Sequence, residues 1–106
     1  MADLSSEDQK LITLARSAMA RTGAPEGAAV RDLDGRTYAA AAVALAHLSL
    51  TALEVCVAMA VSSGAKGLEA AVRLGDEGAP DLGALHELGG ADVVVHLGDA
   101  RGRLTA

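Results

Sequence analysis

A three-layer α/β/α domain on a mixed sheet of four to five strands is predicted by three features of the sequence. The first is the alternation of patterns, which run helix, strand, strand, helix, strand, helix, strand. Strands separated by helices need crossover connections, and these place helices on both faces of a mixed sheet. The second is residues 38–64, YAAAAVALAHLSLTALEVCVAMAVSSG, an apolar stretch whose one formally charged residue is Glu54 and around which the rest of the chain has to pack. The third is size. A chain of 106 residues with 51% apolar side chains fills one core and falls short of two, so a single domain over residues 1–106 is expected.

The elements follow in order. Ser5 reads as an N-cap, with Glu7 and Asp8 in the first turn and Asp8 at capping-box spacing. Leu11, Leu14, Ala15, Ala18 and Met19 then share one face, and Gly23 and Pro25 stop a helix over residues 5–22. Residues 27–33 form a short apolar run, Asp34-Gly35 is a hairpin turn signal, and residues 36–43 form the returning strand. The alanines at 39–42 favour helix by propensity, so the strand assignment leans on the turn and on Thr37-Tyr38. Over residues 48–63, Leu50, Leu53, Val55, Cys56, Val57, Met59 and Val61 cover nearly the whole circumference of a helix, which is expected to be buried on all sides and closed by Gly64. A strand at 67–74, a short helix at 80–88 and a strand at 91–97 complete the order. Turns are expected at 75–78, 89–90 and 99–102, and residues 103–105 offer a stub of a fifth strand.

Charge and composition exclude several classes of function. With 14 acidic against 9 basic residues the net charge is −5, and no Lys/Arg cluster forms a stripe to follow phosphates, so nucleic acid is not an expected partner. The start, MADLSSEDQK, lacks the basic-then-apolar pattern of a secretion signal. Residues 38–65 are long enough to cross a bilayer, but Glu54, His47, weakly apolar alanines and the lack of flanking basic or aromatic anchors argue against a membrane. The lone Cys56 precludes an intramolecular disulfide and fits a reducing cytoplasm. Arg outnumbers Lys seven to two and Ala and Gly dominate, a bias that fits a GC-rich bacterial genome. Small side chains bury little area, at about 25 cal/mol per Å². A homo-oligomer, dimer or tetramer, is therefore expected.

The element order, and much of the local sequence, resembles the zinc-dependent cytidine deaminase family. Residues 4–21 resemble its opening helix, and residues 27–30 its Val-Gly-Ala-Ala strand. Residues 35–51 lie without gaps on the pattern Gly-Arg-x-Tyr-x-Gly-x-Asn-Val-Glu-Asn-Ala-Ser-Tyr-Gly-Leu-Thr, matching at Gly35, Arg36, Tyr38, Val43, Ala46 and Leu50. Ala60-Val61-Ser62-Ser63-Gly64 resembles the end of the family's second helix, while Leu85-His86-Glu87 and Asp92-Val93-Val94-Val95-His96-Leu97 resemble its third helix and fourth strand. The resemblance implies a cytidine deaminase-like fold. Its Tyr-Ser loop is replaced here by Ala24-Pro25-Glu26-Gly27.

The departures fall on the positions that carry the family's chemistry. The ribose-holding Asn-x-Glu pair falls on Ala42 and Ala44, and the zinc ligand and catalytic glutamate of the second helix fall on Thr51 and Leu53. The Pro-Cys-x-x-Cys that supplies two further ligands falls approximately on Glu77-Gly78-Ala79-Pro80-Asp81, so that Gly78 and Asp81 stand for its cysteines. Hydrolytic deamination needs a metal to activate water and a carboxylate to relay its proton. The resemblance therefore implies no catalytic residues, no substrate-binding side chains and no cofactor in this chain. A pseudoenzyme is expected, acting structurally or in regulation as a homo-oligomer or with an unidentified protein partner. The alternative is a divergent nucleoside-binding protein or zinc-dependent deaminase with non-standard ligands, drawn from His47, Glu54, Cys56, Asp81 and His86. Each of these has a plainer role: His47 in a loop or cap, Cys56 as a small hydrophobe, Glu54 paired with an Arg of its own or a neighbouring subunit, Asp81 capping the third helix, and His86 exposed. His96 alternates with Val95, so one faces each helix layer.

Overall fold

The computed structural model describes residues 4–75 and 78–106. The turn expected at 75–78 and the Glu77 position lie partly or wholly outside the described residues, as does the beginning of the N-terminal segment. The helix α1 runs Ser6–Thr22, with the Ser5 hydroxyl accepting the Asp8 N–H and Gly23 closing it in a left-handed conformation. Strands β1 (Glu26–Asp32) and β2 (Thr37–Ala41) form the expected antiparallel hairpin. The chain then departs from expectation. Short strands β3 (Val43–Ala44) and β4 (Ser49–Leu50) make a separate two-stranded hairpin, so the second strand ends at Ala41. The helix expected from residue 48 starts at Ala52. Thr51 sets that start, because its hydroxyl accepts the Glu54 N–H while the Glu54 carboxylate accepts the Thr51 N–H.

Helix α2 (Ala52–Ser62) is followed by β5 (Leu68–Gly75), α3 (Gly83–Gly89) and β6 (Val94–Gly98). The four-stranded sheet has the order β2-β1-β5-β6, antiparallel except for the parallel β5–β6 pair. Helix α3 provides the crossover that this parallel pair requires. The fifth-strand stub is reduced to one bridge between Gly98 and Leu104. The two outer elements also start late: α3 at Gly83 instead of residue 80, and β6 at Val94 instead of residue 91. Pro80 has no N–H and sits before the helix in a turn-rich stretch.

Alternation along β1 and β5 splits the interior into two cores. Ala29, Ala70, Val72 and Leu74 meet Leu11 and Ala15 of α1. Ala28, Val30, Tyr38 and Ala71 face Leu53, Cys56, Val57 and Ala60 of α2 and Leu85 of α3. Helices thus cover both faces of a mixed sheet, as the sequence predicts. One expectation for α2 is corrected. It is not buried all round, because Met59 is 38% and Val61 56% exposed. A single sheet face and one short neighbouring helix cannot surround a helix of this length, so part of its apolar circumference is left in solvent. No helix among the described residues is long and apolar enough to cross a membrane.

Polar ties lock α1 onto the sheet. The Arg31 guanidinium, 10% exposed, pairs with Asp8 at 2.8 Å and with Glu69. The second Asp8 oxygen meets His96 Nε2 at 2.9 Å. His96 therefore faces α1, and Val95 packs into the opposite core.

Candidate functional site

The head of α2 borders an open cleft of about 310 Å³ whose walls include Pro25, Glu26, Ala42, Ala44, Ser49 and Thr51. Three elements position them. The start of β1 brings Glu26, the β2–β3 junction brings Ala42 and Ala44, and β4 leads into the Thr51 cap. Three of the positions singled out in the sequence, Ala42, Ala44 and Thr51, are therefore gathered on one surface. Leu53 is not on it. It is 2% exposed and belongs to the core beneath α2.

The Thr51 and Glu26 side chains of the cleft are already engaged. The Thr51 hydroxyl holds the Glu54 amide at 3.1 Å. One Glu26 oxygen accepts the Ala52 N–H at 2.8 Å, an amide that the first turn of a helix cannot satisfy within itself. The other lies 3.9 Å from Arg73 Nε. Alanine methyls supply the rest of the wall contributed by Ala42 and Ala44. Such a surface offers few free groups to orient a polar ligand.

The remaining candidates are dispersed. His47 is exposed in the loop between β3 and β4, and His86 is exposed on α3. Among the described residues Glu54 pairs with no arginine; it closes the capping box of its own helix. Asp81 serves the start of α3 from one residue further out than a cap, accepting the Gly83 N–H at 2.8 Å while Leu82 occupies the cap position. Gly78 is exposed and lines a different depression, beside Arg73 and Asp99. Among the described residues no three His, Cys, Asp or Glu side chains gather at a distance suited to a metal ion.

Cys56 is fully buried against the sheet, and burial pushes its thiol up to about 12. The thiolate is the reactive form. The native protein is accordingly expected to leave Cys56 unlabelled by a disulfide reagent such as Ellman's at mildly alkaline pH, with one equivalent released on unfolding in guanidinium. Rapid stoichiometric labelling of the folded protein would contradict this placement.

Glu26 and Arg73 are the polar residues of this region that the sequence did not single out. Glu26 read as part of a loop, and Arg73 as a residue within an apolar strand. Arg73 is 4% exposed. An arginine inside the run Ala-Ala-Val-Arg-Leu of β5 is the one signal that could have flagged it, since buried arginines need partners.

Comparison with known proteins agrees with this architecture. Residues 4–102 match the family model described as cytidine deaminase-like. The cytidine deaminase of Mycobacterium leprae is 25% identical, with a TM-score of 0.73 over 90% of this chain and 89% of that one. That of Mycobacterium tuberculosis is 25% identical with a TM-score of 0.70, covering 94% and 89%. The cytidine deaminase of Burkholderia pseudomallei, at 23% identity and a TM-score of 0.79 over 96% and 91%, shares the fold. No curated protein matches the sequence significantly.

Proposed function

Because the chain belongs to the cytidine deaminase-like family over residues 4–102, we propose that it is a catalytically inactive member acting through protein contacts, as a homo-oligomer or with a protein partner. The observation that carries this reading is the chemistry of the donor set. A catalytic zinc site takes three thiolate, imidazole or carboxylate ligands and keeps one position for water. At the corresponding positions this chain offers the hydroxyl of Thr51, a glycine at 78 and the carboxylate of Asp81, and both oxygen groups already hold backbone amides. Those residues do not fit zinc. Leu53 stands where the proton-relaying glutamate is expected, and an aliphatic side chain transfers no proton.

A role based on contacts is supported by the apolar side chains left in solvent on the α2 side and on the β3–β4 hairpin. Leu45 is 66%, Leu48 50%, Val61 56% and Met59 38% exposed. Surfaces of this kind commonly mark protein interfaces.

Three measurements on purified protein test the reading. Metal analysis is expected to find zinc far below one equivalent. Cytidine absorbance is expected to stay constant with added enzyme-scale protein and zinc. Light scattering is expected to give a mass above the monomer, or a pull-down to give a specific partner. Stoichiometric zinc or measurable turnover would establish the opposite reading, a deaminase with non-standard ligands. A strict monomer with no partner would remove the contact-based role.

A further inference from the structure

We infer that Glu26 and Arg73 form an internal ion-pair cross-link that joins the head of α2 to the chain entering α3. The register of β1 and β5 pairs Ala28 with Arg73 and Glu26 with Gly75, which puts the two charged side chains on one face as diagonal neighbours. That face is the one covered by α2 and α3, since Ala28 belongs to their core. Both side chains are withdrawn from water, Glu26 at 12% and Arg73 at 4% exposure.

Each end of the pair reaches a different segment. Glu26 Oε1 accepts the Ala52 N–H at 2.8 Å, at the N-terminal end of α2, where the helix dipole also favours a negative charge. Arg73 Nη1 donates to Gly75 O at 3.4 Å and Nη2 donates to Gly78 O. Those two carbonyls flank residues 76–77, on the path into α3. Between the two groups, Arg73 Nε lies 3.9 Å from Glu26 Oε2. That separation is beyond a hydrogen bond, so the attraction is coulombic, and it is strengthened by the low local polarity.

The guanidinium suits this task because its donors project in a fixed planar fork, toward two carbonyls on one side and a carboxylate on the other. An ammonium on a flexible stem supplies the charge without the fork. Among the described residues the start of α3 has few ties of its own, because its Leu82 cap makes no side-chain hydrogen bond and Asp81 serves the Gly83 amide. Removal of either partner leaves the other as an uncompensated buried charge. The cross-link accompanies the proposed metal-free reading of the cleft, yet its test is separate from that reading.

The experiment is a double-mutant cycle of Glu26→Gln, Arg73→Met and the pair, read by thermal unfolding and by hydrogen exchange. Glu26→Gln is the gentler variant, since its amide oxygen still accepts the Ala52 N–H. Each single change is expected to lower Tm by more than about 5 °C, and the double change to lower it by clearly less than the sum of the two. In Arg73→Met, exchange is expected to rise about tenfold at the hydrogen-bonded amides of Ala52 and Gly83, a factor equivalent to one local opening step of about 1.4 kcal/mol. Amides of the β1–β2 ladder keep their protection. If Arg73→Met fails to fold, Arg73→Lys serves: it is expected to preserve protection of the Ala52 amide and lose that of the Gly83 amide. Additive losses in Tm, or unchanged exchange at both the Ala52 and Gly83 amides, would overturn the cross-link. Zinc is measured on the same samples, so a coupled cycle in a zinc-loaded protein supports the cross-link while refuting the metal-free reading.

Discussion

Replacement of Asp32 by Ala is expected to lower Tm by more than about 10 °C, measured by circular dichroism; a stability loss of about 3–5 kcal/mol for a buried charge removed from its partners, at about 4–8 °C per kcal/mol, gives that scale. Asp32 is 1% exposed at the end of β1 and organises the whole β1–β2 turn. One carboxylate oxygen accepts the amides of Asp34 and Arg36, each at 2.9 Å. The other accepts Arg36 Nε at 3.0 Å and the Tyr38 hydroxyl at 2.9 Å. Alanine would strand the buried Tyr38 hydroxyl and release the turn. Asn keeps two acceptor bonds and turns its NH₂ toward donors, so Asp32→Asn is expected to fall between wild type and Asp32→Ala. A Tm within about 2 °C of wild type for Asp32→Ala would show that the turn does not depend on this carboxylate.

The same residue sets a pH dependence. Burial pushes the Asp32 carboxyl up, but the hydrogen bonds from Tyr38 and from the Arg36 and Asp34 amides, with the Arg36 charge, outweigh it and leave the carboxyl below its ordinary 3.8. A lowered folded value means that this contribution is fully present above 3.8 and is lost as pH falls through the lower, folded value. Asp8 adds to the same acid limb: burial opposes its ionisation, while the bonds to His96 and Arg31 and their charges overcome that and lower it. Wild-type Tm is therefore expected to hold down to about pH 4 and then fall, with a shallower fall in Asp32→Asn. A Tm profile that declines equally steeply in both proteins would remove Asp32 from the account.

Gly27→Ala is the second large effect. A Cβ at Gly27 would stand 2.5 Å from Ala15 O and 2.5 Å from Met19 Cγ. Met19 can swing aside, but the Ala15 carbonyl is part of the α1 backbone and cannot. The helix must lift off β1, which opens the core of Leu11, Ala15, Ala29 and Val72. The expected cost lies at or above the upper end of the roughly 1–3 kcal/mol typical of overpacking, and exchange along α1 should accelerate. Gly78→Ala is the matched control, because a Cβ there meets nothing within 4 Å. Equal Tm values for the two variants would contradict this close approach.

Much of the scaffold was legible in local signals. Ser5 and Gly23 bound α1, Asp34-Gly35 turns the hairpin, and the strands expected at 67–74 and 91–97 form as β5 and β6. The limits of α2 were harder to read. Residues 43–50 are as apolar as the helix that follows, and composition alone does not reveal that Thr51 and Glu54 restart the chain as a capping box. Glu54 looked like a stranded charge because its partner is a backbone amide, which a sequence does not display. The candidate site divides in the same way. The side chains at Ala42, Ala44, Thr51 and Leu53 can be read residue by residue, but the gathering of three of them on one cleft, and the burial of the fourth, cannot.

The sequence by itself determined the order of the main elements outside the β3–β4 hairpin and the family, because caps, turns and hydrophobic periodicity act between residues close along the chain. Only the tertiary structure decided that Glu26 holds the first amide of α2, that Arg73 lies beside it, and that Asp8 bridges Arg31 to His96. Those contacts join β1 to β5 and α1 to β6, and buried charges find their partners across a sheet through its strand register, which no local pattern encodes.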